Sequence, residues 1–221
     1  MTTSSTRTDL DSLLQSLLKP SSLWTRPELL VRPSPIPTRP GVYAWFFRNL
    51  DGLLPTADCH VIGDWSLLYL GIAPVDLNSK RFLRTRLANH LRGRADRSTL
   101  RFSLGSILCS ELNLNPTLRG LRKVHFGEGE ARLSTWMDAN SAVCWYEINE
   151  PWLFEGTLIK CLRPPLNLKH NSSHPFVPEL SRLRKEMLDR AREDLSISDS
   201  AEGVDNSETA IVPMKSHSHP R

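Results

Sequence analysis

Two tyrosines, each inside a short aromatic-glycine segment, precede an arginine, a histidine, a carboxylate and an asparagine. The set is Tyr43 in Gly41-Val42-Tyr43, Tyr69 in Tyr69-Leu70-Gly71, then Arg86, His90, Glu155 and Asn167. These residue types suit phosphodiester hydrolysis. That reaction needs a deprotonated water, a cation on the leaving side and positive charge on the phosphorane, and two phenols, an arginine and a carboxylate holding one divalent ion can supply all three. No member is informative alone, because Gly-x-Tyr and Tyr-x-Gly are common strand ends whose aromatic simply packs in a core. The ordered recurrence carries the signal.

Such a set needs a scaffold. Val42 to Phe47 and Ser66 to Ile72 are aromatic or apolar runs and read as buried strands paired as neighbours. Between them, Arg48 to Trp65 contains Asp51-Gly52 and Pro55 and is long for a hairpin, so it reads as a loop. From Ser79 to Leu91, the residues Phe82, Leu83, Leu87 and Leu91 mark one helical face, and Arg86 and His90, one turn apart, share a flank. Thr99 to Leu112 and Ala131 to Asn140 read as helices, and Ala142 to Ile148 as a third strand. A helix from Pro151 or Trp152 to Leu162 follows, stopped by Pro164-Pro165, and Pro178 to Arg192 has a charged amphipathic helical pattern. The fold class expected is α/β of the α+β kind: a small central mixed or antiparallel sheet of three strands flanked by helices.

Around this domain, placed at 39–192, the chain changes character. Residues 1–38 read as a small helix over Asp9 to Leu18 and a proline-rich lead-in, residues 1–40 holding six of the sixteen prolines. A helical insertion is expected at about 93–141, and residues 193–221, whose end is rich in Ser, Asp, Glu and His, are expected to be a disordered tail. With 221 residues, 39% hydrophobic and 24% charged, the composition is that of one soluble domain with tails. No apolar run is long enough to cross a bilayer, and the four cysteines are scattered without a Cys-x-x-Cys pair, which argues against a zinc knuckle or a disulfide framework. Reduced thiols and a cytoplasmic location are expected. His170 and His174 fall in a loop, where their spacing reads as chance. Trp136, Trp145 and Trp152 read as core or sheet-packing aromatics, with base stacking as the other use.

The net charge is only +4, but between Asn78 and Arg132 twelve Lys or Arg face four acids. Arg84, Arg92, Arg94, Arg97 and Arg101 are the candidate nucleic-acid contacts in that run. The plainer reading of a charge run is a solvated helix face.

Taken together, these motifs resemble the GIY-YIG nucleases, over roughly Arg39 to Asn171. The long interval between the two motifs is similar to the restriction-endonuclease-like branch of that family. Val42 and Leu70 stand where the family usually has isoleucine, both conservative changes. The resemblance implies Tyr43 as general base and Tyr69 beside it, holding the phosphate or the base. It implies Arg86 on the phosphate oxygens, with Arg84 as rival, and Glu155 as the metal ligand, with Glu147 and Glu150 as nearby alternatives. A single carboxylate suits Mg2+, or Mn2+ in its place. His90 would relay a proton or orient Tyr43, or else simply bond a neighbouring carbonyl or phosphate. Gly41, Gly71 and Asn167 would support the site, Asn167 by tying its loop to the active-site wall. Products with 5′-phosphate and 3′-hydroxyl ends are implied.

Two stretches depart from compact members, Pro74 to Asn78 and the insertion at 93–141; the insertion either carries target recognition or extends the core. A DNA endonuclease is therefore expected, with a homodimer or two successive nicks cutting a duplex. A silent nucleic-acid-binding module of the same fold and an interaction protein are the other classes.

Overall fold

Leu13 and Leu17 are one helical turn apart, and burying them against a sheet gives the chain its first anchor. In the computed structural model, residues 2–50, 52–120 and 122–202 are described, and helix α1 (Thr2–Leu18) carries this pair. The expected amphipathic stretch is thus the second half of a longer helix. A two-residue strand β1 (Trp24–Thr25) and a single helical turn α2 (Arg26–Leu29) follow. Thr25 and Glu28 form a capping box there.

The sheet is antiparallel throughout. β2 (Gly41–Phe47) lies at its centre, flanked by β4 (Trp65–Ala73) and β7 (Ser141–Glu147), with β1 outside β7 and β3 (Val61–Ile62) outside β4. The three principal strands are those expected, and the two edge strands, each two residues long, raise the count from three to five. Runs this short carry no periodicity. Both faces of the sheet are covered, which explains why β2 is buried at every position. One face, with Tyr43, Trp45 and Phe47, packs on the helices of the insertion and the C-terminal helix; the other, with Val42, Ala44 and Phe46, packs on α1 and α6 (Glu155–Leu162).

Helix α3 (Leu83–Arg92) starts later than Ser79. The Asp76 carboxylate accepts from the backbone N–H groups of Asn78 and Ser79 and holds that stretch in turns instead. The proline-rich lead-in acquires a purpose here. Its Arg39 and Pro37 carbonyls accept from the N–H groups of Leu83 and Arg84, which no intrahelical partner can satisfy.

Residues 93–141 extend the core. A 3-10 turn (Ala95–Arg97) leads into α4 (Thr99–Ile107), a small hairpin of β5 (Thr117–Arg119) and β6 (Lys123–His125), and α5 (Gly129–Asn140). Helix α4 ends before the expected Leu112, in a turn that reaches Asn113 with a left-handed φ of 48°. Trp136 of α5 stacks on Phe47, and Trp145 stacks on Trp24, so both serve packing. The helix expected from Pro151 is broken at Phe154 into a 3-10 turn (Pro151–Leu153) and α6. Helix α7 (Val177–Glu202) begins where expected and continues past residue 193; the remainder of the stretch read as a tail lies outside the described residues.

All four cysteines are free, and among the described residues no helix is long and apolar enough to cross a membrane.

Candidate active site

Strand register brings the two tyrosines together. Tyr43 on β2 faces Gly71 on β4, and the next residue on the same face of β2, Trp45, faces Tyr69. The phenol rings lie 6.5 Å apart, on one face of the sheet. A bulge at Leu68 sets this arrangement: with one extra residue in β4, Leu68 and Tyr69 both reach the same core. The glycines are the negative image of the tyrosine and of the strand beside it. A Cβ on Gly71 would stand 2.3 Å from the Tyr43 hydroxyl oxygen, and one on Gly41 would stand 2.3 Å from the Tyr146 carbonyl oxygen. Any side chain at Gly71 would push the phenol out of place.

Helix α3 delivers the next two groups from above this face. Leu83, Leu87 and Leu91 bury one stripe of it, which fixes the rotation of the helix and aims Arg86 and His90 at Tyr43. Arg86 Nε donates to the Tyr43 hydroxyl at 3.2 Å. His90 Nε2 is bonded to the same hydroxyl at 2.9 Å, and His90 Nδ1 to Ser98 Oγ at 2.7 Å. The imidazole is fully buried among the rings of Tyr43, Trp45 and Tyr69. Burial, then the cations Arg86 and Arg101, hold its pKa well below the usual imidazole value, so it is neutral at neutral pH.

Ser98 closes the chain of bonds. It is buried, caps α4 by accepting from the Arg101 backbone N–H at 3.1 Å, and meets His90 with the same oxygen. Four hydrogen bonds therefore run from Arg101 N–H through Ser98, His90 and Tyr43 to Arg86, and the groups in them bring five hydrogens when Tyr43 is a neutral phenol. One hydrogen is in excess. If His90 carries its proton on Nδ1, the Ser98 hydroxyl has no acceptor in the chain; if on Nε2, the Tyr43 hydroxyl has none. Either way all four links form and one hydroxyl hydrogen points out of the chain; were the phenolic proton removed, Arg86 and His90 would both donate to the phenolate.

The charges around Tyr43 oppose one another. The net effect is upward: burial, Tyr69 and the Glu155 carboxylate raise its pKa well above the usual phenol value against the downward pull of the Arg86 cation and its hydrogen bond, so the phenol holds its proton at neutral pH in this arrangement. Tyr43 is also fully buried, with Arg86 lining the cleft beyond it. Tyr69 has its hydroxyl 3.2 Å from Thr99 Oγ1 and also interacts with the Arg86 guanidinium.

Glu155 opens α6, and of the three glutamates weighed it is the one whose charge Tyr43 feels. Its carboxylate pairs with Lys169 at 3.2 Å, and His170 Nε2 lies 3.7 Å away. Lys169 is 75% exposed, so this partner is cheaply displaced. Among the described residues no cluster of three His, Cys, Asp or Glu could hold a metal. The donor set therefore suits a hydrated hard cation on one carboxylate, as Mg2+ prefers, and not an ion enclosed by protein ligands. His174 lies apart, buried, with Nδ1 accepting from the Phe176 N–H.

Asn167 completes the wall. Its amide accepts from Leu70 N and donates to Leu70 O, both at 2.8 Å, and so does the work of a strand along the edge of β4 that β3 leaves open.

The basic run divides. Arg101 is the correction: it is 0% exposed, with its guanidinium on the Glu130 carboxylate and carbonyl, Ser134 Oγ and the His90 carbonyl. A cation committed to a buried pair has no surface to offer a phosphate. Arg84 is exposed but uses Nε to hold the Ile36 carbonyl, and Arg92 reaches the Leu30 carbonyl. Arg94 pairs with Asp96, while Arg97 lines the cleft beside Arg86. Sequence reading missed Ser98 and Thr99 as site residues. Their signal, Ser-Thr at a helix start, announces a cap but not the side chains that it meets.

Paired phenols set against a guanidinium, with a carboxylate in electrostatic reach, have the chemistry of a nuclease. A family model for the GIY-YIG catalytic domain matches residues 41–186, most of the chain and all of the site just described. This chain belongs to the GIY-YIG nuclease family. No curated protein and no solved structure matches it.

Proposed function

We propose that this chain is a divalent-metal-dependent endonuclease that hydrolyses DNA, with Tyr43 as the general base. The observation that carries the reading is that Arg86 Nε at 3.2 Å and His90 Nε2 at 2.9 Å converge on the Tyr43 hydroxyl, two groups that can donate together to a phenolate. His90 stays neutral and donates to the phenolate, so its role is to hold Tyr43 rather than to store the proton. Arg86 bridges the phenol and the cleft, and a phosphate gripped by its guanidinium is placed against Tyr43. Because Tyr43 is fully buried, the reading requires Arg86 to turn toward that phosphate and open a path for water. Glu155 would hold the Mg2+ or Mn2+. Held by Glu155, such a cation would offset the upward pull of the carboxylate on Tyr43 and would supply charge for the leaving oxygen. With one site per chain, cutting both strands takes two successive nicks or a pair of chains.

The test is nicking of supercoiled plasmid with magnesium by the wild type, Tyr43→Phe, Glu155→Ala and a chelator control. Nicking by the wild type alone is expected. Equal nicking by Glu155→Ala would remove Glu155 from the metal site, and salt-dependent binding without nicking would leave a silent binding module.

A further inference from the structure

The cleft that Arg86 lines extends well beyond the two tyrosines, with a volume of about 670 Å³. Six cations border it, Arg81, Arg86, Arg97, Arg122, Lys123 and Arg184, and they arrive from the loop before α3, α3 itself, the 3-10 turn, the β5–β6 hairpin and α7. The one acid in the lining, Asp96, has a side chain only 1% exposed and is already paired with Arg94 at 3.1 Å and Arg119 at 3.3 Å. Among the described residues, Arg81, Arg97, Arg122, Lys123 and Arg184 have no carboxylate partner.

Arg184 is the most telling of these. It is half-buried on α7, with its guanidinium 4.8 Å over the Phe102 ring, which fixes it in the cleft wall without neutralising it. Burial also pulls its pKa below the usual guanidinium value. A cation that loses hydration and gains no acid is destabilising until an anion arrives. The positive charge also continues: Arg97 lines both this cleft and an adjoining one of about 630 Å³, bordered by Arg92, Arg94 and Arg119. A track of that kind suits a chain of phosphates better than one small anion.

We propose that the cleft between the 3-10 turn, the β5–β6 hairpin and α7 is a second phosphate-binding subsite, with Arg184 and Lys123 as its anchors. It takes backbone phosphates of the DNA strand next to the scissile one. The identity of that strand rests on the nuclease reading; the need for a polyanion rests on the cleft alone. The insertion and α7 thus position substrate as well as extending the core.

The test compares wild type, Lys123→Gln, the pair Lys123→Gln with Arg184→Gln, and Lys185→Gln, a control on the same helix whose side chain is 77% exposed and pairs with Asp189. Affinity for a short fluorescent DNA duplex is measured in chelator across a salt series, and nicking kinetics are measured with magnesium. The slope of log affinity against log salt is expected to become shallower by about one for each cation removed at the cleft, and to stay at the wild-type value in Lys185→Gln. KM is expected to rise about tenfold in the double variant, with kcat held within about twofold. Slopes in the cleft variants equal to the control would overturn the subsite, as would absence of duplex binding by the wild type. The exposed Lys123→Gln keeps the test alive if the Arg184 change disturbs folding. Nicking with unchanged cleft variants sinks the subsite and leaves the nuclease reading; cleft-dependent binding without any nicking does the reverse.

Discussion

Ser98 does two jobs with one oxygen, capping α4 and meeting His90 Nδ1, and the two can be separated. Ser98→Ala removes both. It should lower stability by about 1 kcal/mol through the lost cap and lower the nicking rate about tenfold or more, because nothing then holds the imidazole proton on Nε2 toward Tyr43. Ser98→Thr keeps the hydroxyl and should recover most of both. Single-turnover rates and thermal melts of the two variants check this, and a wild-type rate in Ser98→Ala would sink the role. The residue scale is also where the sequence spoke best. Tyr43, Tyr69, Arg86, His90 and Glu155 could be named as candidates because their order along the chain is itself the pattern. Ser98 could not, since its partner stands on another helix.

Among the elements, the insertion is fastened to α3 by one buried pair. Arg101 on α4 and Glu130 on α5 bond each other at 2.8 Å; Glu130 also accepts from Ala95 N at 2.7 Å, and Arg101 donates to the carbonyl of His90. Breaking the pair strands a charge in the core. Arg101→Met or Glu130→Met alone should cost about 3–5 kcal/mol, and the two together much less than the sum. Urea melts of the cycle decide, and additive losses would mean that the two do not act as a unit. From sequence, Arg101 was one more arginine in a basic run. Its depth follows from α4 packing on α5, which no local pattern reveals.

For the whole molecule, two imidazoles are kept neutral by burial, His90 in the site and His174 in the loop before α7. Both have folded-state pKa values below the usual 6.5, so the unfolded chain binds more protons as pH falls through that value. Stability should therefore be level above pH 7 and decline below about 6.5, by up to about 1.4 kcal/mol per pH unit for each histidine. Asp96, held below the usual carboxylate range by Arg94 and Arg119 despite its burial, adds its own loss only in stronger acid. Calorimetric melting temperatures between pH 7.5 and 5.5 should fall on acidification, less steeply in His174→Asn. A flat profile would show that these histidines are not held neutral.

The sequence by itself determined the three long strands, the leucine face of α3 and the order of the candidate site residues. These depend on local alternation, helical spacing and side-chain type, which a chain carries in linear form. Only the tertiary structure decided that Asn167 substitutes for a strand beside Leu70, that Gly71 makes room for the Tyr43 ring, that Arg101 is interior, and that Lys123 and Arg184 border one cleft. Each joins residues distant along the chain, and the energy that selects them, burial of two sheet faces and satisfaction of buried polar groups, exists only once the layers have met.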